Sequence, residues 1–293
     1  MTLSIITLNY KKPHVTLNCL SSLYEHYHKA FEDGNIEVIL VDNDSQDDSV
    51  SVLRKAIKDN HYSHIQLIEN KENGGFAKGC NLGAKHAKGE YLLFLNNDTV
   101  VKDKSLLSMT SYMEEHANIA ILGGQLRNTN GTLQASTGKF YTPFNAFLLL
   151  LGMQKFGLLD RSPQKIVEVD WVKGGLLMVR QEVFSKLHGF DEKIFMYIED
   201  MELCYRAKQA GYGVYFYPYA TVLHAEHASA NRTFAIVNIY KNLLYFYKKH
   251  RSHSEYLFVR FLMRTKARAL ISIGKTTHNK YLINTYEEAF KVA

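Results

Sequence analysis

Apolar runs and amphipathic stretches alternate along the first hundred residues of this 293-residue chain. The apolar runs predict four strands: LSIITL at 3–8, IEVILVD at 36–42, IQLIEN at 65–70 and YLLFLNN at 91–97. Helices are predicted between them, near residues 14–30, 46–58 and 76–87. This alternation is typical of βαβ units around a mostly parallel sheet. Strands that are apolar throughout indicate that helices cover both faces.

The second half of the chain has a different pattern. The segment EVDWVKGGLLMVRQEVF, residues 168–184, predicts a strand that leads into a short helix. We expect another helix over residues 199–210, and after it a strand with alternating faces that ends at His224. The remaining predictions are a hairpin and mobile insertion at 128–165 and two helices near 233–250 and 255–273.

Composition indicates an ordinary globular protein, with 46% hydrophobic and 22% charged residues. Three scattered cysteines without a CxxC pair indicate neither a disulfide framework nor a structural zinc site, and they fit a reducing compartment. The N-terminus reads directly into a strand, so no signal peptide is expected. The longest apolar run, residues 146–151, is far below the roughly 20 residues of a membrane-spanning helix. These features predict a cytoplasmic protein.

The net charge of +6 is unevenly distributed. Residues 231–293 contain twelve Lys or Arg and three Asp or Glu, a balance of +9, whereas the other residues carry a balance of −3. A basic tail on a near-neutral body indicates that the tail alone meets an anionic partner, either a membrane surface or nucleic acid. Because the body offers no basic track for a phosphate backbone, nucleic acid is not expected as a partner.

Polar or glycine residues follow all four predicted strands. They are Thr7, Asn9 and Tyr10 after the first, Asp42 to Ser45 after the second, Asn73, Gly74 and Gly75 after the third, and Asn96, Asn97 and Asp98 after the fourth. Ligands of parallel α/β sheets bind outside the carboxyl ends of the strands, so these residues predict a site for a polar ligand. No GxGxxG motif follows the first strand and no P-loop is present, which argues against hydride transfer and P-loop phosphotransfer.

Several segments carry a resemblance to a known family. They are SIITLNY, VDNDSQDDS, NGGFAKGCNLGAKHAKGEYLLFLNNDT, GGLLMVRQEVFSKLHGFDEKIFMYIEDMELCYRAKQAGY and LH at 223–224, together spanning residues 3–224. The chain resembles the inverting nucleotide-sugar glycosyltransferases of family 2, most of all bacterial rhamnosyltransferase-type enzymes that build cell-surface polysaccharides. The resemblance implies a GT-A fold, an α/β architecture with a Rossmann-like, mostly parallel central sheet flanked by helices and a C-terminal helical extension.

The resemblance also implies a domain organisation. Residues 1–230 are expected to form the catalytic domain, with a nucleotide-binding half at 1–100 and an acceptor and catalytic half at 101–230. Residues 231–293 are expected to form a basic amphipathic helical tail. In the predicted helix at 255–273, Arg260, Arg264 and Arg268 line one face, and an apolar face opposes them. Such a helix lies in a bilayer interface and prefers anionic lipid, although docking on the catalytic domain is the alternative.

A divalent cation, Mg²⁺ or Mn²⁺, is implied because relatives end the fourth strand in an Asp-x-Asp motif. Here the motif is Asn96-Asn97-Asp98, so only the last carboxylate is kept. The resemblance assigns Asp98 and His224 to the metal and Asn96 to the vicinity of the ribose or donor sugar. Without the resemblance, a polar turn that closes a strand would be the preferred interpretation of these residues. The nearby His227 is a weaker candidate ligand.

Asp200 matches the position of the general base in the family. An inverting transferase works by single displacement and needs one base to remove the proton of the acceptor hydroxyl. Glu199 lies next to it and is expected to contact the acceptor. Consecutive helical residues point about 100° apart, so both acids are not expected to face the same proton. Capping of the helix N-terminus by these acids is the structural alternative.

The first half of the chain is expected to bind the nucleotide. Asp42 matches the position that accepts a hydrogen bond from a pyrimidine base, and the other predicted nucleotide-binding residues are Thr7, Asn9, Tyr10, Asn73, Gly74, Gly75, Asn81, Asn96 and Asn97. Gly74 and Gly75 would let the backbone approach the ligand closely. Gly174, Gly175 and Trp171 are predicted near the donor sugar and acceptor, with core packing as the alternative for Trp171.

These residues predict a metal-assisted inverting glycosyltransferase. The expected donor is a dTDP- or UDP-sugar, with dTDP-rhamnose as the candidate that the resemblance suggests. The expected acceptor is a glycan or a polyprenyl-diphosphate-linked glycan. We expect peripheral attachment to the inner face of the bacterial cell membrane through the tail. Two alternatives stay open: the same fold with a UDP-glucose or UDP-galactose type of donor, and a degenerate nucleotide-sugar-binding protein without activity, which the missing first aspartate motivates.

Overall fold

The computed structural model describes residues 1–151, 160–225 and 231–293, so His227 and part of the predicted insertion lie outside the described residues. The chain packs into two compact units. The first, called the sheet unit, comprises Met1–Gly138, Arg161–Phe195 and Glu199–Ala228. The second, called the helical unit, comprises Lys139–Asp160, Met196–Ile198 and Ser229–Ala293.

The strands of the described residues are β1 Leu3–Asn9, β2 Ile36–Asp42, β3 Ile65–Glu69, β4 Tyr91–Leu95, β5 Thr99–Val101, β6 Ile119–Arg127, β7 Thr137–Gly138, β8 Asp160–Arg161, β9 Val167–Glu168, β10 Trp171–Val172, β11 Leu176–Arg180 and β12 Gly213–His224. The helices are α1 Pro13–Glu32, α2 Ser49–Asp59, α3 Gly75–His86, α4 Ser105–Glu115, α5 Pro143–Leu150, α6 Gln181–Lys186, α7 Glu199–Gln209, α8 Arg232–His250, α9 His253–Thr276 and α10 Lys280–Val292.

The main sheet has the strand order β3-β2-β1-β4-β11-β6-β12-β5, and β9 pairs with β12. Strands β3, β2, β1 and β4 run parallel, as predicted from the βαβ alternation, and β11 is inserted antiparallel between β4 and β6. The β1–β2 register places Asn9 opposite Asp42. The carboxyl ends of the first strands therefore meet at one edge of the sheet.

The core of the sheet unit lies between this sheet and its helices. Strands β2 and β4 are buried along their whole length, which confirms that helices cover both faces. Helix α1 packs Leu20 and Leu23 into the cluster that also holds Val38, Leu40 and Leu93. All three cysteines are buried and free, so no disulfide stabilises the fold.

The helical unit contains three consecutive helices, α8, α9 and α10, where the sequence predicted two. Asn279 caps α10 by accepting a hydrogen bond from the Leu282 N–H. Helix α10 packs against α9 so closely that a Cβ at Gly274 would lie 2.9 Å from Ile283 Cγ1. The short helix α5, within the predicted insertion, also belongs to this unit and contacts α9.

The predicted membrane face of α9 needs correction. Arg260 Nε donates to the Ala293 carbonyl at 2.6 Å, and the guanidinium groups of Arg264 and Arg268 lie 4.0 and 5.1 Å from the centre of the Phe290 ring. The arginine side of α9 is thus packed on α10. The predicted apolar face is divided, since Val259 and Met263 are buried while Phe258 and Ile273 are exposed. None of the described helices is long and apolar enough to cross a membrane.

Candidate active site

Asp42 is held at the carboxyl end of β2 by three donors. Its Oδ2 accepts hydrogen bonds from Asn9 Nδ2 at 2.7 Å and Ser45 Oγ at 2.6 Å, and its Oδ1 accepts from the Ser45 N–H at 3.0 Å. Asn9 Oδ1 in turn accepts from the Thr16 hydroxyl, which also accepts from Asn97 Nδ2. One polar network therefore joins the ends of β1, β2 and β4. Ser45 was expected at this edge of the sheet, whereas Thr16 was not predicted as a member of the site.

Two further predicted residues of the nucleotide-binding half lie beside Asp42 with contrasting exposure. Tyr10 is 45% exposed, and the Lys11 ammonium lies 5.3 Å from the centre of its ring. Thr7 is buried, and its hydroxyl has no hydrogen-bond partner among the residues that the structure describes. An exposed ring can stack on a base, and an unsatisfied buried hydroxyl can bond a ligand.

A ladder of amides holds the loop before α3. Asn70 Nδ2 donates to Asn43 Oδ1, and Asn43 Nδ2 donates to Asn73 Oδ1 and to the Gly75 carbonyl. Asn73 Oδ1 also accepts from the Gly75 N–H at 3.0 Å. Asn43 was expected at this edge of the sheet because it follows β2 directly, whereas Asn70 was not among the predicted site residues.

Gly75 is required for a different reason than the predicted approach of a ligand. Its φ is +85°, and a Cβ would lie 2.0 Å from the Phe195 carbonyl oxygen. The N–H of Phe76 donates to this same oxygen at 2.7 Å. The glycine therefore lets the start of α3 pack on the Phe195 backbone. The three atoms nearest to a Cβ at Gly74 all belong to the Lys78 side chain, which can move. Of the two glycines, only Gly74 is therefore compatible with the predicted approach of a ligand.

Asp98 and His224 meet because β12 pairs with β5. His224 lies opposite Thr99 in that pairing, and the Ala225 N–H donates to the Asp98 carbonyl at 3.0 Å. His224 Nε2 lies 3.3 Å from Asp98 Oδ1 and 3.1 Å from Asn96 Nδ2. The strand pairing thus brings together both predicted metal ligands, which are far apart in the sequence.

The pair fits a divalent cation as two adjacent ligands. Metal–ligand distances of about 2.1 Å in an octahedral shell place neighbouring ligands about 3 Å apart, close to the Asp98–His224 separation. A carboxylate oxygen suits both Mg²⁺ and Mn²⁺, whereas an imidazole nitrogen suits the transition metal Mn²⁺ better than the hard cation Mg²⁺. Within the described residues no group of three His, Cys, Asp or Glu side chains is placed to hold a metal. Protein side chains therefore supply only part of a coordination shell here.

Asp200 lies in the first turn of α7, where its carboxylate is fixed by two backbone donors. Oδ2 accepts from the Gly174 N–H at 2.9 Å, and Oδ1 accepts from the Met201 N–H at 2.7 Å. Burial raises the pKa of Asp200 above its ordinary value, while the two N–H groups and the nearby Lys173 ammonium oppose that rise. An ionised carboxylate with a raised pKa is a stronger base than an exposed aspartate.

Glu199 points elsewhere. It is 7% exposed, and its Oε2 has no hydrogen-bond partner in the part of the chain that the structure describes. Burial, followed by the negative charge of Asp200, raises the pKa of Glu199 well above its ordinary value and so favours the neutral form of the carboxyl. The buried Cys80 of α3 lies near this carboxyl, which places Glu199 inside the core. The expected contact between Glu199 and an acceptor has no support in this geometry.

The backbone of Gly174 and Gly175 connects Asp200 with the metal pair. The Gly174 N–H donates to Asp200, and the Gly175 carbonyl accepts from the Asn96 N–H at 3.2 Å. A Cβ on Gly175 would lie 3.3 Å from Asn96 Nδ2. The candidate base and the Asn96–Asp98–His224 cluster therefore lie on opposite sides of one glycine pair, at the same edge of the sheet.

Two predicted ligand contacts are instead structural. Trp171 is 6% exposed, and its ring covers Gly138 so closely that a Cβ there would lie 2.3 Å from Cζ2. Asn81 exchanges hydrogen bonds of 2.9 Å with both backbone groups of Phe190, and its Nδ2 also donates to Glu192 at 3.1 Å. Trp171 fills the core, and Asn81 holds α3 to the turn before α7.

Comparison with known proteins finds glycosyltransferases. A sequence model described as Glycosyl transferase family 2 matches residues 4–185, and one described as N-terminal domain of galactosyltransferase matches residues 164–228. The rhamnosyltransferase WbbL of Escherichia coli (strain K12) is 28% identical over 212 residues, which are 69% of this chain and 77% of that protein. The N-acetylglucosaminyl-diphospho-decaprenol L-rhamnosyltransferase of Mycobacterium tuberculosis (strain ATCC 25618 / H37Rv) is 24% identical over 223 residues, 67% of this chain and 69% of that protein.

A solved structure shares the fold. The mannosyltransferase PcManGT from Pyrobaculum calidifontis, solved in complex with GDP-Man and Mn²⁺, superposes with a TM-score of 0.62 at 16% identity, covering 99% of this chain and 85% of that one. The match to the family model extends over more than half of the chain. The chain has the GT-A fold and belongs to glycosyltransferase family 2.

Proposed function

We propose that this glycosyltransferase moves a sugar from a pyrimidine nucleoside-diphosphate sugar, dTDP-rhamnose being the first donor to test, to a hydroxyl of a glycan or lipid-linked glycan. The observation that carries the proposal is the glycine pair that joins Asp200 to the Asn96–Asp98–His224 cluster. The two relatives are named as rhamnosyltransferases, and one name specifies a diphospho-decaprenol-linked sugar. These names support the donor and the lipid-linked acceptor.

Asp200 acts as the general base of a single displacement that inverts the anomeric carbon. Its carboxylate removes the proton of the acceptor hydroxyl while that oxygen forms the new glycosidic bond and the nucleoside diphosphate leaves. The Gly174 and Met201 N–H groups keep the carboxylate in one orientation, which reduces the reorganisation needed at the moment of reaction. The raised pKa brings the carboxylate closer to the basicity that this transfer requires.

Asp98 and His224 would hold Mg²⁺ or Mn²⁺, which neutralises the charge that develops on the departing diphosphate. In the nucleotide-binding half, the exposed ring of Tyr10 would stack on the base, and the Thr7 hydroxyl, which has no partner among the described residues, would bond the ligand. Asp42 retains acceptor capacity on Oδ1, which takes one hydrogen bond where Oδ2 takes two. A pyrimidine N–H can occupy that capacity.

The helical unit is proposed to attach the enzyme to the inner face of the cell membrane. It combines the +9 balance of residues 231–293 with exposed large apolar side chains on α5 and α9. Those side chains are Phe144, Phe147, Leu257, Phe258 and Phe261. Apolar side chains that enter the headgroup region and a basic charge that attracts anionic lipid together give reversible attachment. A lipid-linked acceptor would be reached from such a position.

Membrane attachment can be tested by flotation of the full-length chain with vesicles that contain anionic lipid. The Phe258→Ser, Phe261→Ser double variant should lose most of the floating fraction. Tyr219→Ser removes an equally exposed aromatic ring from the sheet unit and should float like the wild type. Equal flotation of all three proteins, or no flotation of the wild type, would argue against attachment through α9.

The transfer itself is tested by incubating the enzyme and Mn²⁺ with a panel of dTDP- and UDP-sugars and following release of the nucleoside diphosphate by mass spectrometry. Turnover of a dTDP-hexose with inversion of the anomeric centre is the expected result. A second candidate is transfer from UDP-galactose or UDP-glucose, which the match of residues 164–228 to a galactosyltransferase domain favours. Turnover of purine nucleotide sugars alone would contradict both candidates.

A further inference from the structure

Gln134 is a buried polar residue that the proposed chemistry does not use directly. It follows the hairpin after β6, is 5% exposed, and its N–H donates to the Leu126 carbonyl at 2.9 Å. Its own carbonyl accepts from Gln125 Nε2 at 2.9 Å and Ser162 Oγ at 2.6 Å. Hydrogen bonds therefore hold both the N–H and the carbonyl of Gln134, and the side chain extends from a fixed backbone.

The Gln134 side chain forms hydrogen bonds with both the backbone carbonyl and the ring of His224. Gln134 Nε2 lies 2.9 Å from the His224 carbonyl oxygen and 2.8 Å from Asn128 Oδ1, and Oε1 lies 2.9 Å from His224 Nδ1. A backbone carbonyl can only accept a hydrogen bond, so the atom facing it must be the NH₂ group of the amide. The orientation of the Gln134 amide is thereby determined, and its oxygen faces Nδ1.

The amide orientation determines the tautomer of the imidazole. An amide oxygen can only accept, so Nδ1 must carry the proton that it donates to Gln134. In a neutral ring Nε2 then carries the lone pair, and this lone pair faces Asn96 Nδ2 at 3.1 Å and Asp98 Oδ1 at 3.3 Å. Without this contact a neutral histidine can carry its proton on Nε2 instead, and Nε2 then has no lone pair with which to bind a metal.

We propose that Gln134 is a positioning residue that holds His224 in the Nδ1–H tautomer with the Nε2 lone pair directed towards Asp98. The tautomer assignment stands on the hydrogen bonds alone. Its consequence for a divalent cation rests on the proposed function, because His224 is there one of two protein ligands. The cation affinity should fall about 10- to 100-fold when such a supporting contact to a metal-binding histidine is lost.

The first test is nitrogen-15 NMR of the imidazole rings in the full chain without added metal, at a pH where His224 is neutral. The two ring nitrogens have distinct shifts in the two tautomers, and His224→Gln identifies the signals. The wild type should show Nδ1–H. Gln134→Met removes the acceptor and should let the Nε2–H form appear, whereas Gln134→Glu keeps an oxygen opposite Nδ1 and should retain the wild-type tautomer.

Gln181→Met is the matched control. The Gln181 amide is half-buried and donates to a backbone carbonyl, that of Ala87 at 3.3 Å, so Gln181→Met makes the same side-chain change without touching the His224 contact. This control should leave the His224 tautomer and the Mn²⁺ affinity as in the wild type. It separates loss of the His224 contact from general loosening of the fold.

The second test is titration of each protein with Mn²⁺, followed by electron paramagnetic resonance of the free ion. Gln134→Met should bind about 10- to 100-fold more weakly than the wild type. An Nε2–H tautomer in the wild type, or an unchanged tautomer in Gln134→Met, would overturn the role of Gln134. If the wild type shows the Nδ1–H tautomer but binds no Mn²⁺ with or without nucleotide, the assignment of Gln134 stands and the metal part of the proposed function fails.

Discussion

Glu199 and Asp200 are adjacent at the start of α7, but replacement of each carboxyl by an amide should affect catalysis differently. Asp200→Asn removes the proposed base, whereas Glu199→Gln replaces a carboxyl whose neutral form is favoured by burial. General bases contribute about 10²- to 10⁴-fold to a rate, so Asp200→Asn should lower kcat by that factor. Glu199→Gln should stay within a few-fold of the wild type because an amide resembles a protonated carboxyl in shape and polarity.

The structure also sets the cost of each variant to stability. Both Asp200 oxygens accept backbone N–H groups, from Gly174 and Met201. An asparagine has one accepting oxygen, so its NH₂ group would face one of these donors, at a cost of about 1–3 kcal/mol. The pKa of Glu199 is raised in the folded state, so its contribution to stability is present at low pH and is lost as the pH rises through that pKa. Glu199→Gln should remove this loss.

The assay compares kcat for release of nucleoside diphosphate with the free energy of unfolding in urea, for the wild type and both variants over a range of pH. Asp200→Asn should be nearly inactive at temperatures where it remains folded. Glu199→Gln should be active, and at higher pH at least as stable as the wild type. Retention of transfer within tenfold by Asp200→Asn would refute its role as base. Equal inactivation of both variants would refute the different environments assigned to the two acids.

Backbone geometry, pH and metal give three further expected outcomes. Gly75→Ala and Gly211→Ala should each cost about 1–2 kcal/mol for a left-handed backbone, at φ values of +85° and +83°. Only Gly75→Ala should cost about 1–3 kcal/mol more for overpacking, against the Phe195 carbonyl, and equal urea midpoints would contradict that clash. The rate of transfer should rise with pH through the raised pKa of Asp200, because the base must be ionised; a flat acid limb of the kcat profile would exclude this. Removal of divalent cations with a chelator should abolish transfer reversibly, and Asp98→Ala should raise the Mn²⁺ concentration needed for half-maximal rate.

The parallel half of the sheet is predictable because its signals are local. Each apolar run was found as a strand, and helices α1 to α3 start and end within three residues of the predicted bounds. Parallel register then brings Asn9 opposite Asp42 without further information. The expected 100° between consecutive helical residues also anticipated that Glu199 and Asp200 face different surroundings.

The contact between Gln134 and His224 cannot be predicted from local sequence patterns. Gln134 and His224 are 90 residues apart, and nothing in the sequence around Gln134 marks it as different from other polar residues of a hairpin. The contact exists because β12 runs beside β6 and β5, which brings the hairpin after β6 next to the end of β12. Long-range pairing of this kind decides most of the second half of the sheet.

The tail shows a different limit of periodicity. The pattern of α9 correctly indicates a helix with a basic and an apolar side, but it does not say what covers each side. Helix α10 covers the basic side of α9, where Phe290 packs against the arginines. On the apolar side, Val259 and Met263 are buried. The surface available for the proposed membrane attachment is therefore set by packing within the helical unit. Its exposed apolar residues on α9 are Leu257, Phe258, Phe261 and Ile273.

Replacement of the first acid of the metal motif by Asn96 has a physical consequence for the proposed chemistry. Asp98 contributes the single negative charge of the cluster, and a neutral His224 contributes none, so a divalent cation bound there keeps net positive charge. Asn96 can donate to the Nε2 lone pair, which a carboxylate cannot do, and this amide competes with the cation for His224. Both effects weaken binding of the cation to the protein alone, and the diphosphate of the donor is the obvious source of the missing anionic oxygens. Coupling between two ligands is reciprocal. The factor by which the donor raises the affinity for the cation must therefore equal the factor by which the cation raises the affinity for the donor. In the proposed chemistry, loss of the first aspartate would therefore keep a metal site whose occupancy depends on the presence of the nucleotide sugar.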